Sequence, residues 1–226
     1  QENTTPFDFS WHNLIYGPGR HILKFVLNAS VNWVKTPDLL KLWGYSKHPR
    51  CPLCQLEPCT LHHIIMGCPI ALREKRYTWR HDSVLLCIEE ELKAHLQHRK
   101  DFRPDDTKIV FVAAGTAKAK KRVYGIPQSI MDGAKDWQLL VDFDSKNIVF
   151  PTEIYSTPER PDIIIFSSSL KRVIMIELTC PAEEGIQNAV LRKQARYKDL
   201  QTEINNGHWT ATLLTVEVGA RGFVAH

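Results

Sequence analysis

Two acidic residues border neighbouring apolar runs in ERPDIIIFSSSLKRVIMIELTCP, residues 159–181. Asp162 directly precedes the run IIIF, and Glu177 directly follows the run VIMI. If the two runs form a symmetric hairpin turning at SSSLK, the acids lie opposite each other with Cβ atoms about 4.5–5.5 Å apart. Carboxylates this close repel each other and lose hydration, a cost that a bridging divalent cation removes. Such oxygen ligands suit Mg²⁺ or Mn²⁺.

The segment that follows these runs has helical periodicity and carries a cation on its apolar stripe. The residues of the stripe are Glu183, Ile186, Val190, Lys193, Tyr197, Leu200 and Ile204. The Lys193 ammonium, near the sheet edge, could stabilise charge on a phosphate or orient an attacking water. Alternatively, its stem packs and its charge stays in water. Tyr197, one turn later, could hydrogen-bond the same cluster or fill the core.

A second set of chemically competent residues lies in CPLCQLEPCTLHHIIMGC, residues 51–68. With no secretory signal, clustered cysteines indicate a metal rather than disulfides. His62 and Cys59 compete as ligands, but His63 is preferred because its spacing to Cys68 is that of a zinc knuckle. A closed four-ligand set predicts a structural role for Zn²⁺. The predicted ligands are Cys51, Cys54, His63 and Cys68.

Composition sets broad limits on the protein. The chain has 226 residues, of which 43% are hydrophobic and 24% charged, as in an ordinary globular protein with one large or two small domains. A net charge of +4 indicates no particular partner. No apolar run reaches the length of a membrane span, and the N-terminus has no signal-peptide pattern. The isolated Cys87 and Cys180 are expected to be buried thiols.

Positive charge is concentrated in a few places that could contact a phosphate backbone. The run TAKAKKR, residues 116–122, is either such a contact or a solvated surface loop. Arg80 and His81 in WRHD could hold phosphate at a helix start, and Arg160 is a further candidate. The candidate cations of the basic run are Lys118, Lys120, Lys121 and Arg122.

The apolar patterns predict helices first and strands later. Helical patterns cover residues 7–45 and 83–97, and a polar linker is expected at 98–106. A long helix is expected from Glu183 to about Asn205. The order of elements predicts a mixed α/β core with a central sheet. The expected strands are residues 108–115, 137–144 and 147–151, and the runs DIIIFS, RVIMIEL and TATLLTVEVG.

Taken together, these motifs resemble a known family. RPD, an apolar strand, a turn and IELT resemble the core of PD-(D/E)xK nucleases. The ordered series CPLC…LHHIIMGC, RYTWRHDSVL and ERPDIIIF…IELTCPAEEGIQNA…RKQARYKDL is similar to the C-terminal end of non-LTR retrotransposon proteins with a restriction-like endonuclease. Some of those elements insert site-specifically into ribosomal RNA genes. The resemblance covers about Phe25 to about Leu200.

The resemblance implies a restriction-endonuclease-like α/β fold, in which helices flank a central mixed sheet. It further implies Mg²⁺-dependent nicking of target DNA, which primes reverse transcription in the nucleus. Asp162 and Glu177 would be the metal-binding carboxylates, and Lys193 the lysine displaced onto the following helix, since Thr179 occupies the usual lysine position. Tyr197 would join this catalytic group. Element RNA and the reverse transcriptase portion of the same polypeptide would be further partners.

The resemblance also predicts four segments and leaves one alternative open. No YxDD-type motif is present, so polymerase activity is not expected in this segment. The alternative is a non-catalytic, zinc-containing nucleic-acid-binding module. The expected segments are a helical linker at 1–47, a CCHC zinc knuckle at 48–70, a connecting helix at 71–106 and the endonuclease domain at 107–226.

Overall fold

The computed structural model describes residues 17–101, 130–143 and 148–222. The chain forms two compact units. The first unit consists of Gln1–His81, Thr179–Val190 and Val216–His226, and the second consists of Asp82–Leu178 and Leu191–Thr215. The expected strand at 108–115 and the basic run at 116–122 lie outside the described residues. The four-segment division stays a prediction.

The described part of the first unit begins with two helices, α1 (Arg20–Ser30) and α2 (Pro37–Leu42). Pro37 occupies the first turn of α2, where its missing N–H costs no hydrogen bond. Gly44 ends the helix with a φ of 78°, a left-handed conformation that glycine adopts without strain. The Tyr45 amide then donates to the Leu40 carbonyl at 2.8 Å, which completes a Schellman motif.

Two further helices follow the cysteine-rich stretch. A π-helical turn at His63–Gly67 leads into the short α3 (Pro69–Arg73), and α4 spans Thr78–Asp101. The predicted apolar face of α4 is present, since Leu85 and Leu96 are buried. The helix continues through 98–101, so the expected linker is wrong there, because no proline interrupts the chain before Pro104. Cys87 is exposed rather than buried, because it lies on the face of α4 away from Leu85.

Within the described residues, the sheet has four strands in the order β1-β2-β3-β4, with bounds Gln138–Val141, Ile163–Ser167, Arg172–Thr179 and Thr210–Glu217. β2 pairs antiparallel with both β1 and β3. The Thr210 amide donates to the Lys171 carbonyl at 2.8 Å, and the Val218 amide donates to the Thr179 carbonyl at 2.9 Å. Because donor and acceptor are the same number of residues apart in both bonds, β4 runs parallel to β3. Helices with a mixed four-stranded sheet confirm the predicted α/β class.

The helix α5 (Ile186–Asn206) connects β3 to β4, after a 3₁₀ turn at Glu183–Gly185. Its stripe packs on the sheet through Tyr197, Leu200 and Ile204, which are all buried in the core of the second unit. The strand expected at 147–151 is wrong over its described residues. There the chain forms a loop, because the Ile148 amide donates to the Asp142 carboxylate at 3.0 Å and Phe150 is buried in the core.

Candidate functional site

The observed strand register places the two acids opposite each other. Ile163 pairs with Ile176 at the end of β2, so the next pair outward is Asp162 with Glu177, as predicted for a symmetric hairpin that turns at SSSLK. The Asp162 amide donates to Glu177 Oε2 at 3.3 Å, and the Leu178 amide donates to Asp162 Oδ2 at 2.7 Å. These backbone bonds hold the two carboxylates side by side at the end of the hairpin.

Glu177 is the most deeply buried of the candidate charged groups, with 2% of its surface exposed. Burial raises the pKa of its carboxyl, and the charge of Asp162 raises it further. Lys193 opposes both effects, because its ammonium Nζ donates a hydrogen bond to Glu177 Oε1. The structure therefore places the Lys193 ammonium against Glu177 of the acid pair, and not in solvent as the alternative prediction had it.

Tyr197 lies beside the same carboxylate. Its hydroxyl donates to the Arg160 carbonyl oxygen at 3.1 Å and also lies against Glu177. Burial, followed by the neighbouring Glu177 charge, raises the pKa of this phenol, so Tyr197 stays a neutral hydrogen-bonding group. Its ring is fully buried in the core, and both roles predicted for it coexist.

Asp142, the residue directly after β1, supports the acid pair through contacts that the sequence did not predict. Its amide donates to the Asp162 carbonyl at 2.8 Å, and its carboxylate forms a bidentate ion pair with Arg160 at 2.7 and 3.1 Å. The sequence spacing of 18 residues gave no signal for this pair. The Arg160 guanidinium, assigned from sequence to phosphate, is thus also a structural group that fixes the chain just before Asp162.

Removal of the Lys193 ammonium is expected to lower the free energy of unfolding, most strongly at neutral pH. The folded pKa of Glu177 lies above its unfolded value, so the protonated carboxyl is favoured in the fold. The cost of burying the carboxylate is therefore absent at low pH and appears as the pH rises through the folded pKa. In Lys193→Met this cost is no longer offset, and we expect a loss of about 3–5 kcal/mol at pH 7 that shrinks on acidification.

Urea unfolding across a pH series measures this effect. Lys198→Met is the matched control, because Lys198 lies on the same helix and is exposed. A loss of stability in Lys193→Met that is independent of pH would contradict the assigned ion pair.

The four predicted metal ligands converge in the first unit. The ligand atoms of Cys51, Cys54, His63 and Cys68 all lie within 4.8 Å of one another, and Cys54 Sγ is 3.3 Å from His63 Nε2. These distances are compatible with four ligands around a single zinc ion, whose bonds to sulfur and nitrogen are about 2.3 and 2.0 Å. The cluster could therefore hold a metal ion.

The competing ligands, Cys59 and His62, differ from the predicted ligands in their surroundings. Burial raises the pKa of the Cys59 thiol to about 12, so Cys59 stays protonated. For Cys51, burial favours the thiol, but backbone amides of Cys54 and Leu53 and the His63 ring outweigh it and bring the pKa to about 6. His62 is exposed. Thiolates are the form that binds metal, so these environments favour Cys51 over Cys59 as a ligand.

Tyr77 and Arg80 fasten the cluster to the start of α4. The Tyr77 hydroxyl donates to the Ile64 carbonyl at 3.0 Å and accepts from the Cys68 amide at 3.3 Å. Arg80 donates to the Ile65 carbonyl at 2.7 Å. Sequence reasoning missed Tyr77 and assigned Arg80 to phosphate, a role that stays a prediction beside these backbone contacts. His81 lies half-buried in the first turns of α4.

Comparison with family models, curated proteins and solved structures finds no match to this chain. Among the described residues, no helix is both long and apolar enough to span a membrane. The function is therefore argued from the chemistry of the two clusters.

Proposed function

We propose that this chain is a metal-dependent DNA endonuclease that nicks target DNA to prime reverse transcription during retrotransposon insertion. The observation that carries the proposal is the opposed pair Asp162 and Glu177 at the end of the β2–β3 hairpin, with the Lys193 ammonium on the second acid. Two carboxylates and a cation at the end of the two central strands match the needs of phosphodiester hydrolysis, in which negative charge develops on the phosphate.

The two acids fit a Mg²⁺ or Mn²⁺ site. A carboxylate offers about four acceptor positions, so metal ligation is compatible with the hydrogen bonds that Asp162 Oδ2 accepts from the Leu178 amide and that Glu177 accepts from the Asp162 amide and from Lys193. Two carboxylates with waters and substrate phosphate are the usual protein environment of Mg²⁺. When bound there, the ion would polarise the phosphate and lower the pKa of the attacking water.

The other residues of the site prepare the carboxylates for this role. Lys193 favours the ionised form of Glu177 against the effect of burial, and its positive charge would stabilise negative charge that develops on a phosphate oxygen. Tyr197 fixes the chain at Arg160, two residues before Asp162, and so positions the first acid. Arg80, His81, Arg160 and the run 118–122 are proposed to contact the DNA backbone. Element RNA and a reverse transcriptase portion are proposed partners.

The Cys51, Cys54, His63 and Cys68 cluster is proposed to hold a structural Zn²⁺. The four ligands fill a tetrahedral shell and leave no position for a substrate. The buried side chains around the cluster are few, chiefly Cys59 and Ala71, so apolar packing alone provides little stability there.

The alternative is a nucleic-acid-binding module that does not cut. One contact favours it, because the Lys193–Glu177 ion pair already balances one of the two acidic charges without a metal. In such a protein the pair is a structural salt bridge and the chain binds DNA without hydrolysing it.

A nicking assay tests the proposal against this alternative. We expect the protein to convert supercoiled plasmid carrying a ribosomal DNA target to the open circle in Mg²⁺ or Mn²⁺ but not in Ca²⁺, whose larger and more flexible coordination fits a magnesium site poorly. If the protein slows the migration of the plasmid in a gel-shift assay but nicks it in none of the three metals, the chain is the binding module instead.

A further inference from the structure

A wide groove of about 1010 Å³ lies in the first unit, in the segment that precedes the cysteine cluster. Three aromatic side chains and two lysines dominate its walls, with Asn28 and Leu40 completing them. These five residues are Trp33, Trp43, Tyr45, Lys24 and Lys35. The nuclease site and the cysteine cluster use none of them.

Backbone hydrogen bonds fix the chain at two of the exposed aromatic residues. Trp33 is 57% and Tyr45 80% exposed. The Trp33 amide donates to the Asn28 carbonyl at 2.7 Å, and the Schellman motif after α2 fixes Tyr45. The Trp33 and Trp43 ring centroids are 5.2 Å apart with planes inclined at 50°. Large aromatic faces that are fixed and open to solvent are suited to stacking against a planar ligand.

The surrounding segment is strongly basic. Residues 17–50 contain six lysines and arginines and one acid, Asp38, which gives a net charge of 6 − 1 = +5. The cations are Arg20, Lys24, Lys35, Lys41, Lys47 and Arg50. The whole chain has a net charge of +4, so this segment accounts for its entire positive balance. A ligand for this groove is expected to be an anion with flat apolar faces.

We propose that this groove binds an unpaired strand of DNA, with bases stacked on Trp33 and Tyr45 and phosphates near Lys24 and Lys35. An exposed aromatic platform flanked by lysines is how proteins bind single strands without sequence preference. Duplex DNA offers the same phosphates but keeps its base faces stacked inside the helix. The choice of DNA over RNA rests on the proposed nuclease function, because nicking releases a DNA strand end near the protein.

Fluorescence anisotropy with a short labelled oligonucleotide tests this groove in the full 226-residue chain. Mg²⁺ and Mn²⁺ are omitted, so that neither cleavage nor metal-bridged binding at the acid pair contributes. Tyr45→Ala is expected to weaken single-strand binding about five- to hundredfold, the range for losing one stacked base. Leu42→Ala is the matched control, because Leu42, the last residue of α2, is 76% exposed, lies close to Tyr45 in the chain and does not line the groove.

A charge-matched pair of double variants separates the groove from general attraction. Lys24→Ala with Lys35→Ala removes two groove cations, whereas Lys41→Ala with Lys47→Ala removes two exposed cations outside it. We expect the first double variant to lose at least fivefold more affinity than the second. Equal losses overturn the proposal, because they show binding by net charge alone.

Two further outcomes would also overturn it. Duplex DNA that binds as tightly as the single strand removes the role of base stacking, and tighter binding of the same sequence as RNA refutes the choice of DNA. Both tyrosine and lysine variants alter exposed side chains, so their melting temperatures are expected to match the parent. A chain that binds the single strand but fails to nick retains the groove and loses only the proposed nuclease function.

Discussion

Asp162→Asn is expected to lower the rate of Mg²⁺-dependent nicking at least about a thousandfold without unfolding the protein. The carboxylate is proposed to hold the metal, whose charge stabilisation is worth several kcal/mol, and each 1.36 kcal/mol corresponds to a tenfold change in rate. Asparagine keeps an oxygen that can accept the Leu178 amide, the contact that Asp162 Oδ2 makes at 2.7 Å. The substitution therefore removes charge and preserves the local backbone bond.

The same variant has a second expected consequence, which separates loss of activity from loss of the fold. The charge of Asp162 contributes to the raised pKa of Glu177, so Asp162→Asn is expected to lower the pKa of Glu177. The melting temperature at neutral pH should then equal or exceed that of the parent, because one repulsive contact is gone.

Single-turnover nicking rates and thermal melts of the same preparations measure both effects. Asp199→Asn is the matched control, since Asp199 is an exposed carboxylate on α5. The assignment of Asp162 is wrong if Asp162→Asn nicks at the parental rate. An equal loss in Asp199→Asn would attribute the effect to charge in general.

Replacing His63, the imidazole of the proposed zinc site, is expected to have the largest effect on stability. His63→Ala should purify with less than one zinc per chain, and its cysteine-rich segment should lose cooperative folding. Apparent binding free energies of structural zinc in small domains are about 10–16 kcal/mol, and much of this stabilises the fold when the apo segment has little core. The cluster packs against few buried side chains, which include Ala71 and Cys59.

His62→Ala is a closely matched control, because it makes the same chemical change one position away at an exposed histidine. It should retain one zinc per chain and melt like the parent. Zinc measured by mass spectrometry, together with hydrogen exchange of residues 48–70, gives the comparison. Zinc retained in His63→Ala and lost in His62→Ala would show that the wrong imidazole was chosen.

The sequence by itself determined the features that depend on local pattern. Residues at equal distances from the turn of a symmetric hairpin pair with each other, so a hairpin turning between Ser169 and Leu170 pairs Asp162 with Glu177. The observed register has this pairing. Ligand spacing identified the four residues of the metal cluster, because a knuckle closes over a short stretch of chain. Helical periodicity likewise identified the buried stripe of α5, including Tyr197 and Leu200.

Only the tertiary structure decided which groups from distant segments meet. Helical spacing predicted that the Lys193 ammonium lies near the acids, but only the structure gives its contact with Glu177, and the Arg160–Asp142 pair, 18 residues apart, does not follow from spacing. Tyr77 supports the metal cluster from 14 residues away from the His63 carbonyl. The segment at 148–150 looked like a strand because it is apolar, yet it forms a loop in which Phe150 is buried in the core and Val149 is exposed. Periodicity shows which face of a helix or strand is buried, whereas the residues that contact that face depend on the tertiary path of the rest of the chain.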